Sequence, residues 1–517
     1  SSLLNNNTGF NNTASGANSL YLNTTGNNNT ANGVNSLYSN TLGEYNVAVG
    51  SSSLYNNTTG TRNTAVGSGA LNYNSTGSFN TSTGFNSLYN NTTGTNNSAY
   101  GFQSLFSNTT GIYNSALGHG SLYSNTTGNS NTATGYTSLY FNTTGNYNVA
   151  IGEGSLYANT NGSNNVALGN YSLGSNTSGN QNTATGSYAL RLNTTGFNNT
   201  ASGSGALYSN TTGTRNVANG AGALYSNTTG SFNTANGESS LRTNSTGAAN
   251  VSNGYYALFS NTIGYGNSAN GYMALRANTQ GDHNTASGHQ SLYSNTTGNY
   301  NSSYGSYSMY NITTGSNNTG VGYNSLFNVT TGINNTAIGL GAYSSGNFNN
   351  STALGSNTNI TASNQIRLGN NAVTSIGGFA NWTNVSDKRF KTNVQENVPG
   401  LSFITKLKPV TYSLDLDAIH SYLKTPAEIR KPETETEKRN EIQTGFIAQD
   451  VEQVANDLGF NFSGVDKPKN NEDYYGLRYA EFVVPLVKAV QEQQEIIQKQ
   501  EQKINSLEDR LVKLEAL

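Results

Sequence analysis

Ser386 and Lys391 stand five residues apart in the segment S-D-K-R-F-K, and their types could do covalent chemistry. A serine hydroxyl becomes a nucleophile when a base takes its proton. A lysine can be that base if burial penalises its charged form and leaves the amine neutral. No histidine lies nearby. Of the four in the chain, His119, His283 and His289 are far off, and His420 is the only one C-terminal to Ser386. Asp387 and Arg389 fall between serine and lysine, either holding a turn or forming a surface ion pair. The same residues also read as the polar start of a helix, with Ser386 as its N-cap.

These residues sit beside a change in the chemistry of the chain. Residues 1–380 hold ten charged side chains and the remaining 137 hold forty; all six prolines, from Pro399 to Pro485, are also in that last part. A boundary near 375–385 follows, with Trp382 on it. Before it, the chain repeats. Glycine falls every 17 residues from Gly16 to Gly339, and again from Gly9 to Gly332. Asparagine does so from Asn12 to Asn335, and leucine from Leu3 to Leu326 with Met309 as its one break. The unit is roughly N-T-A-x-G-x-x-S-L-Y-x-N-T-T-G-x-x, and it decays after Gly339.

A strict short period marks a solenoid. Two glycines per unit with dense Asn and Thr forbid helix. N-T-A-x and S-L-Y-x are expected as two short strands, and the glycines and N-T-T-G as turns. Each unit is then one coil of a parallel β-roll rising by about 4.8 Å. A disordered low-complexity tract would have no fixed period. One buried leucine per coil does not offset the entropy of ordering 17 residues, so the coils must stack and a slender roll gains from further packing.

The final segment has a seven-residue apolar period. Val483, Val490, Ile497, Ile504 and Leu511 occupy a positions; Leu486, Gln493, Gln500, Leu507 and Leu514 occupy d. This is a coiled coil, two-stranded or three-stranded by its β-branched a residues, with two Gln layers that favour one register. Gly445 to Leu458 is expected as an amphipathic helix with Ile447, Val451, Val454 and Leu458 inward. Lys424 to Glu441, charged and Pro-containing, reads as a mobile loop.

Composition narrows the partners. Charged residues are 10% of the chain and the net charge is −2, which argues against nucleic acid and anionic membrane. There is no cysteine, no calcium or nucleotide motif and no clustering of the histidines, so neither a cofactor nor a metal site is expected. No apolar run reaches the length of a membrane span, so no membrane insertion by this chain is expected. The sequence begins without Met or signal peptide, and an anchoring segment is expected to precede it.

Two resemblances add to this reading. N-V-A-V-G at 46–50 and N-V-A-I-G at 148–152 resemble the N-x-A-x-G units of trimeric autotransporter adhesin heads (YadA-like), which are left-handed parallel β-rolls, and of bacterial and phage fibre proteins. W-T-N-V-S-D-K-R-F-K-T-N-V from Trp382, with T-G-F-I-A-Q-D-V-E-Q-V from Thr444, resembles the intramolecular chaperone of phage endosialidases and tail fibres, a self-cleaving serine peptidase family. The second resemblance implies Ser386 as nucleophile, Lys391 as general base, Asp387 as part of the motif and a single cut at Ser386–Asp387.

The expected fold class is mostly β with an α-helical C-terminus: a trimeric parallel β-roll or β-solenoid, then an α+β chaperone domain and a trimeric coiled coil. The expected division is a repeat shaft at 1–355, a neck at 356–385, the chaperone at 386–480 and the coiled coil at 481–517. Val483, Leu486, Val490, Ile497, Ile504, Leu507, Leu511 and Leu514 would make the homotrimer. The expected function is a structural fibre of a phage tail or contractile injection particle, extracellular, engaging a glycan or other receptor. A bacterial surface adhesin is the alternative. Ice binding through ladders of Thr24, Thr41 and Thr58 is more remote, and a glycan-cleaving spike lacks the carboxylate pair it would need.

Overall fold

The computed structural model describes residues 3–425, 430 and 432–516. It divides into two compact units, Ser1–Asn334 and Asn335–Leu517. The first is a parallel β-solenoid. Each repeat supplies one three-residue strand, from β1 (Thr13–Ser15) to β19 (Thr319–Val321). Each strand pairs in parallel with the next at a 17-residue offset, as Thr13 does with Thr30 and Ala14 with Ala31. The central alanine of the strand and the leucine of S-L-Y are fully buried in coil after coil.

The second expected strand does not form. In S-L-Y-x the leucine takes positive φ, 50° at Leu20 and 49° at Leu37, as does Asn18 two residues before Leu20. That left-handed turn aims the leucine side chain inward. It still lets Leu20 N–H donate to Ser36 O at 3.0 Å and Leu22 N–H to Tyr38 O at 2.9 Å in the next coil. Inter-coil hydrogen bonds therefore run along both sides, with a strand on one side only. Left-handed geometry costs an L-residue, and it persists here because neighbouring coils fix it.

Two asparagine ladders fill the polar half of the interior. Asn46 donates its Nδ2 to Asn29 Oδ1 at 3.2 Å and to Gly60 O at 2.9 Å, and its backbone N–H to the same Asn29 Oδ1 at 3.0 Å. In the second ladder Asn40 donates to Asn23 Oδ1 at 2.8 Å and Gly43 O at 3.0 Å. A buried amide is tolerated because it is bonded. The second ladder ends where Ile312 and Val329 replace asparagine, and Asn295 Oδ1, the last rung, is buried without a partner. Glycine is required beside the strands: Gly169 has φ +136°, and a Cβ there would lie 2.6 Å from Gly186 carbonyl carbon.

The second unit opens with strands β20 (Thr336–Ile338), β21 (Thr352–Leu354) and β22 (Ile366–Leu368). Thr336 pairs with Thr352 and Thr352 with Ile366, so the fixed 17-residue step is lost here. Residues 373–386 are exposed. Helices α1 (Leu401–Ile404), α2 (Leu416–Tyr422), α3 (Pro432–Asn440), α4 (Ala448–Asp457) and α5 (Val483–Glu515) follow, with two antiparallel strand pairs: β23 (Val410–Tyr412) with β24 (Gln443–Gly445), and β25 (Val465–Asp466) with β26 (Gly476–Leu477). Their core is Phe403, Val451, Ala455, Phe462, Val465 and Phe482.

Two expectations in this unit need correcting. Part of the charged segment read as a mobile loop is helix α3, although residues 426–429 and 431 lie outside the described residues. Ion pairs order it: Arg430 and Arg439 each reach Asp417 of α2 at 2.7 Å, and Glu435 at 2.8 and 3.3 Å. In the amphipathic helix Val451 is buried, and Val454 and Leu458 pack on the core. Ile447 is exposed, because it is the extended N-cap residue before the first turn of α4.

Candidate self-cleavage site

The pair that sequence spacing brought forward meets in space. Lys391 Nζ donates to Ser386 Oγ at 2.8 Å. A 3-10 turn, Lys388–Phe390, lies between them and brings the ends of a five-residue span together. Its N-cap is Asp387, which accepts from Arg389 N–H at 2.8 Å; Ser386 is not the cap. Arg389 also closes on Asp387 through its guanidinium, at 3.1 Å from Nε and 2.7 Å from its terminal nitrogen. That guanidinium first, and the backbone bond second, hold the Asp387 carboxyl below its ordinary value. Asp387 is thus an ionised brace for the turn and not a proton donor.

Ser386, Arg389 and Lys391 are exposed and Asp387 is half-buried. The dyad has its hydrogen bond without a cover. The lysine is within hydrogen-bond reach of the serine hydroxyl, and the pair is open to solvent.

The eight a and d residues named above all lie on α5. Their exposure runs from 38% at Ile497 to 67% at Leu514, and Gln493 and Gln500 share the stripe. Among the described residues, α5 buries only Pro485 and Ala489. Its inner end packs on α1, where Leu401 N–H donates to Glu492 Oε2 at 2.8 Å.

The shaft carries two ordered columns. Tyrosines of S-L-Y stack ring on ring, Tyr21 on Tyr38 at 5.2 Å and Tyr38 on Tyr55 at 5.0 Å. The threonine hydroxyls run along the shaft: Thr24 Oγ1 donates to Thr41 O at 3.0 Å, and Thr41 Oγ1 to Thr58 O at 3.1 Å. Among the described residues no cluster of His, Asp and Glu could hold a metal ion, and no helix is long and apolar enough to cross a membrane.

Sequence reasoning passed over Asp473, which is buried against Thr361 across 112 residues of chain. No local spacing signals a contact at that distance.

Residues 386–460 match the model of a protein family described as chaperone of endosialidase. The match starts at Ser386 and covers a minority of the chain. No curated protein matches the chain.

Proposed function

We propose that this chain is a homotrimeric extracellular fibre of the phage-tail type, whose C-terminal module aligns three copies of the shaft and then severs itself at Ser386. A β-solenoid followed by a segment similar to endosialidase chaperones is a tail-fibre-like arrangement. One observation carries the rest. The family match begins at the very serine whose Oγ accepts a hydrogen bond from Lys391, in an exposed junction between the solenoid and the helical module.

In the proposed reaction Ser386 passes its proton to neutral Lys391 as Oγ attacks the carbonyl of the Ser386–Asp387 peptide in a sister chain, forming an ester between the two chains. Lys391 returns the proton to the departing amine, and water hydrolyses the ester. Burial favours a neutral lysine, so three modules closing over the junction would switch the dyad on. Cleavage would then follow assembly. Afterwards the shaft has lost the device that set its stagger, which makes it kinetically stable.

Attachment would use the shaft surface. Exposed Phe85 and Phe102 stack at 5.5 Å, and Tyr255 and Tyr272 at 5.6 Å. Between these rows Tyr188, Tyr208 and Tyr225 line a shallow groove of about 280 Å³ with Glu238 and Arg242. Aromatic faces beside polar groups suit glycans, whose rings present C–H faces and hydroxyls.

The test compares freshly made protein with Ser386→Ala on a denaturing gel, with intact mass and sedimentation on both. The expected result is two fragments parting at Ser386 from the first, one uncut chain from the second, and trimers from each. An uncut wild-type trimer would remove the peptidase and leave the fibre; an uncut monomer would remove both.

A further inference from the structure

The residues before the junction and those after it are joined by more than the chain. Both partners of this contact belong to the unit Asn335–Leu517. Asp473, whose side chain is 4% exposed, receives a hydrogen bond from Thr361 Oγ1 and another from Gln365 Nε2 at 3.2 Å. The Arg367 guanidinium stands 3.5 Å from the same carboxylate and 4.5 Å from the centre of the Tyr474 ring. Asn470 Nδ2 donates to Thr361 O at 2.9 Å. A further contact pairs Asn371 with His420 at 3.0 Å.

Each side is also braced by hydrogen bonds within itself. On the solenoid side Gln365 Oε1 accepts from Thr361 N–H and Ala362 N–H, both at 3.1 Å, and Arg367 donates to Thr361 Oγ1 at 3.0 Å. On the module side Lys469 N–H donates to Asp473 Oδ2 at 3.2 Å, and Tyr422 hydroxyl donates to Asp473 O at 2.9 Å. Little order remains to be gained on contact, so most of the hydrogen-bond energy is available for binding. A buried carboxylate with a cation and several donors is also intolerant of losing a partner.

Thr361, Gln365, Arg367 and Asn371 precede Ser386; His420, Asn470, Asp473 and Tyr474 follow it. We propose that these residues form a non-covalent clasp centred on Asp473, which keeps the C-terminal module docked on the last coils of the solenoid after the chain between them is cut. Cutting and release are then separate events. While the chain is whole, the tether supplies a high effective concentration and the clasp is always closed. Once it is cut, the clasp alone sets the residence time of the module, and in a trimer three clasps act together.

The consequence for function rests on the cleavage reading, but the test does not. A recognition sequence for a sequence-specific protease is placed in the exposed stretch 377–385 of the full chain carrying Ser386→Ala, and the protein is cut to completion at neutral pH. Size-exclusion chromatography then asks whether the fragments travel together. The expected result is co-elution. Adding Asp473→Asn should separate the fragments or speed their dissociation at least tenfold, with unchanged far-ultraviolet circular dichroism. Arg367→Gln, on the other side, should do the same in smaller measure and guards against misfolding of the first variant. Fragments of the parent that part on cutting would overturn the clasp. So would a folded Asp473→Asn protein that holds together as the parent does.

Discussion

Lys391 reaches Ser386 because five residues wound through one 3-10 turn put the two side chains on the same side of the backbone. What it does there depends on its proton. Arginine at this position keeps the positive charge and the hydrogen-bond donor but cannot become neutral. Lys391→Arg should therefore preserve the fold and the assembly while slowing cleavage at least about 100-fold, the lower end of general-base effects. Time courses of fragment appearance measure it, and cleavage at the parental rate would exclude lysine as the base. This contact was legible in sequence because both residues lie within one turn. Asp473 was not legible: its partners are Thr361, Gln365 and Arg367, and only the folded unit brings that loop to the end of the solenoid. Asp387, and not Ser386, caps the turn for a local reason. Asp387 has a carboxylate that bonds Arg389 in two ways, and it outcompetes the neighbouring serine for the N-cap position.

Elements in the shaft follow from columns and not from propensities. The glycine and asparagine periods foretold stacked coils in register. They did not foretell that leucine would turn left-handed, because burial of a side chain and extended backbone are separate demands, and here burial won. The buried amides make a quantitative prediction. Asn165 donates to Gly179 O and accepts at Oδ1 from the backbone and side-chain N–H groups of Asn182. Asn165→Ala orphans those groups, each at a cost of about 1–3 kcal/mol. Hydrogen exchange should rise by an order of magnitude or more around coils 165–182, and fall back to the parental pattern a few coils away, since each coil touches only its neighbours. A uniform loss along the shaft would contradict nearest-neighbour stability. In the C-terminal module, helices α2 and α3 depend on charge. The Arg430 guanidinium, aided by Arg439 and opposed by burial, holds the Glu435 carboxyl at about 2, below its ordinary 4.5. A depressed carboxylate contributes stability that is complete above its unfolded value and disappears as pH falls through the folded one. Amide protection in α3 should accordingly decline from about pH 4.5 down to about pH 2. Glu435→Gln should flatten that decline, and an unchanged profile would show that the ion pairs do not order the helix. Charge-rich sequence with few apolar residues resembles a loop, which is why this helix was missed.

At the scale of the whole molecule the problem is register. Coils repeat every 17 residues with the same glycine, alanine and asparagine at the same places, so three shafts displaced by one coil lose little and gain no signal of their error. In the proposed trimer a sequence that is not periodic in this way would set the stagger, and α5 is the candidate. Its stripe from Val483 to Leu514 is exposed and includes Gln493 and Gln500; in the proposed coiled coil these two positions would be Gln layers that favour one register. Placing carboxylates in the middle of that stripe sets like charges against one another in every copy. The full chain with Ile497→Glu and Ile504→Glu should thus sediment as monomer or as heterogeneous aggregate, where the parent gives a single three-chain species. Cleavage should fall with it, because Lys391 would remain in water, although neither substitution touches the junction. Gln493→Leu with Gln500→Leu tests the complementary point: a more apolar core should resist heat better yet yield a broader set of staggers, visible as poorly matched shaft ends by electron microscopy. A doubly charged variant that still forms a uniform trimer and still cuts itself would mean that the solenoids find their own alignment. The helix would then have some other task.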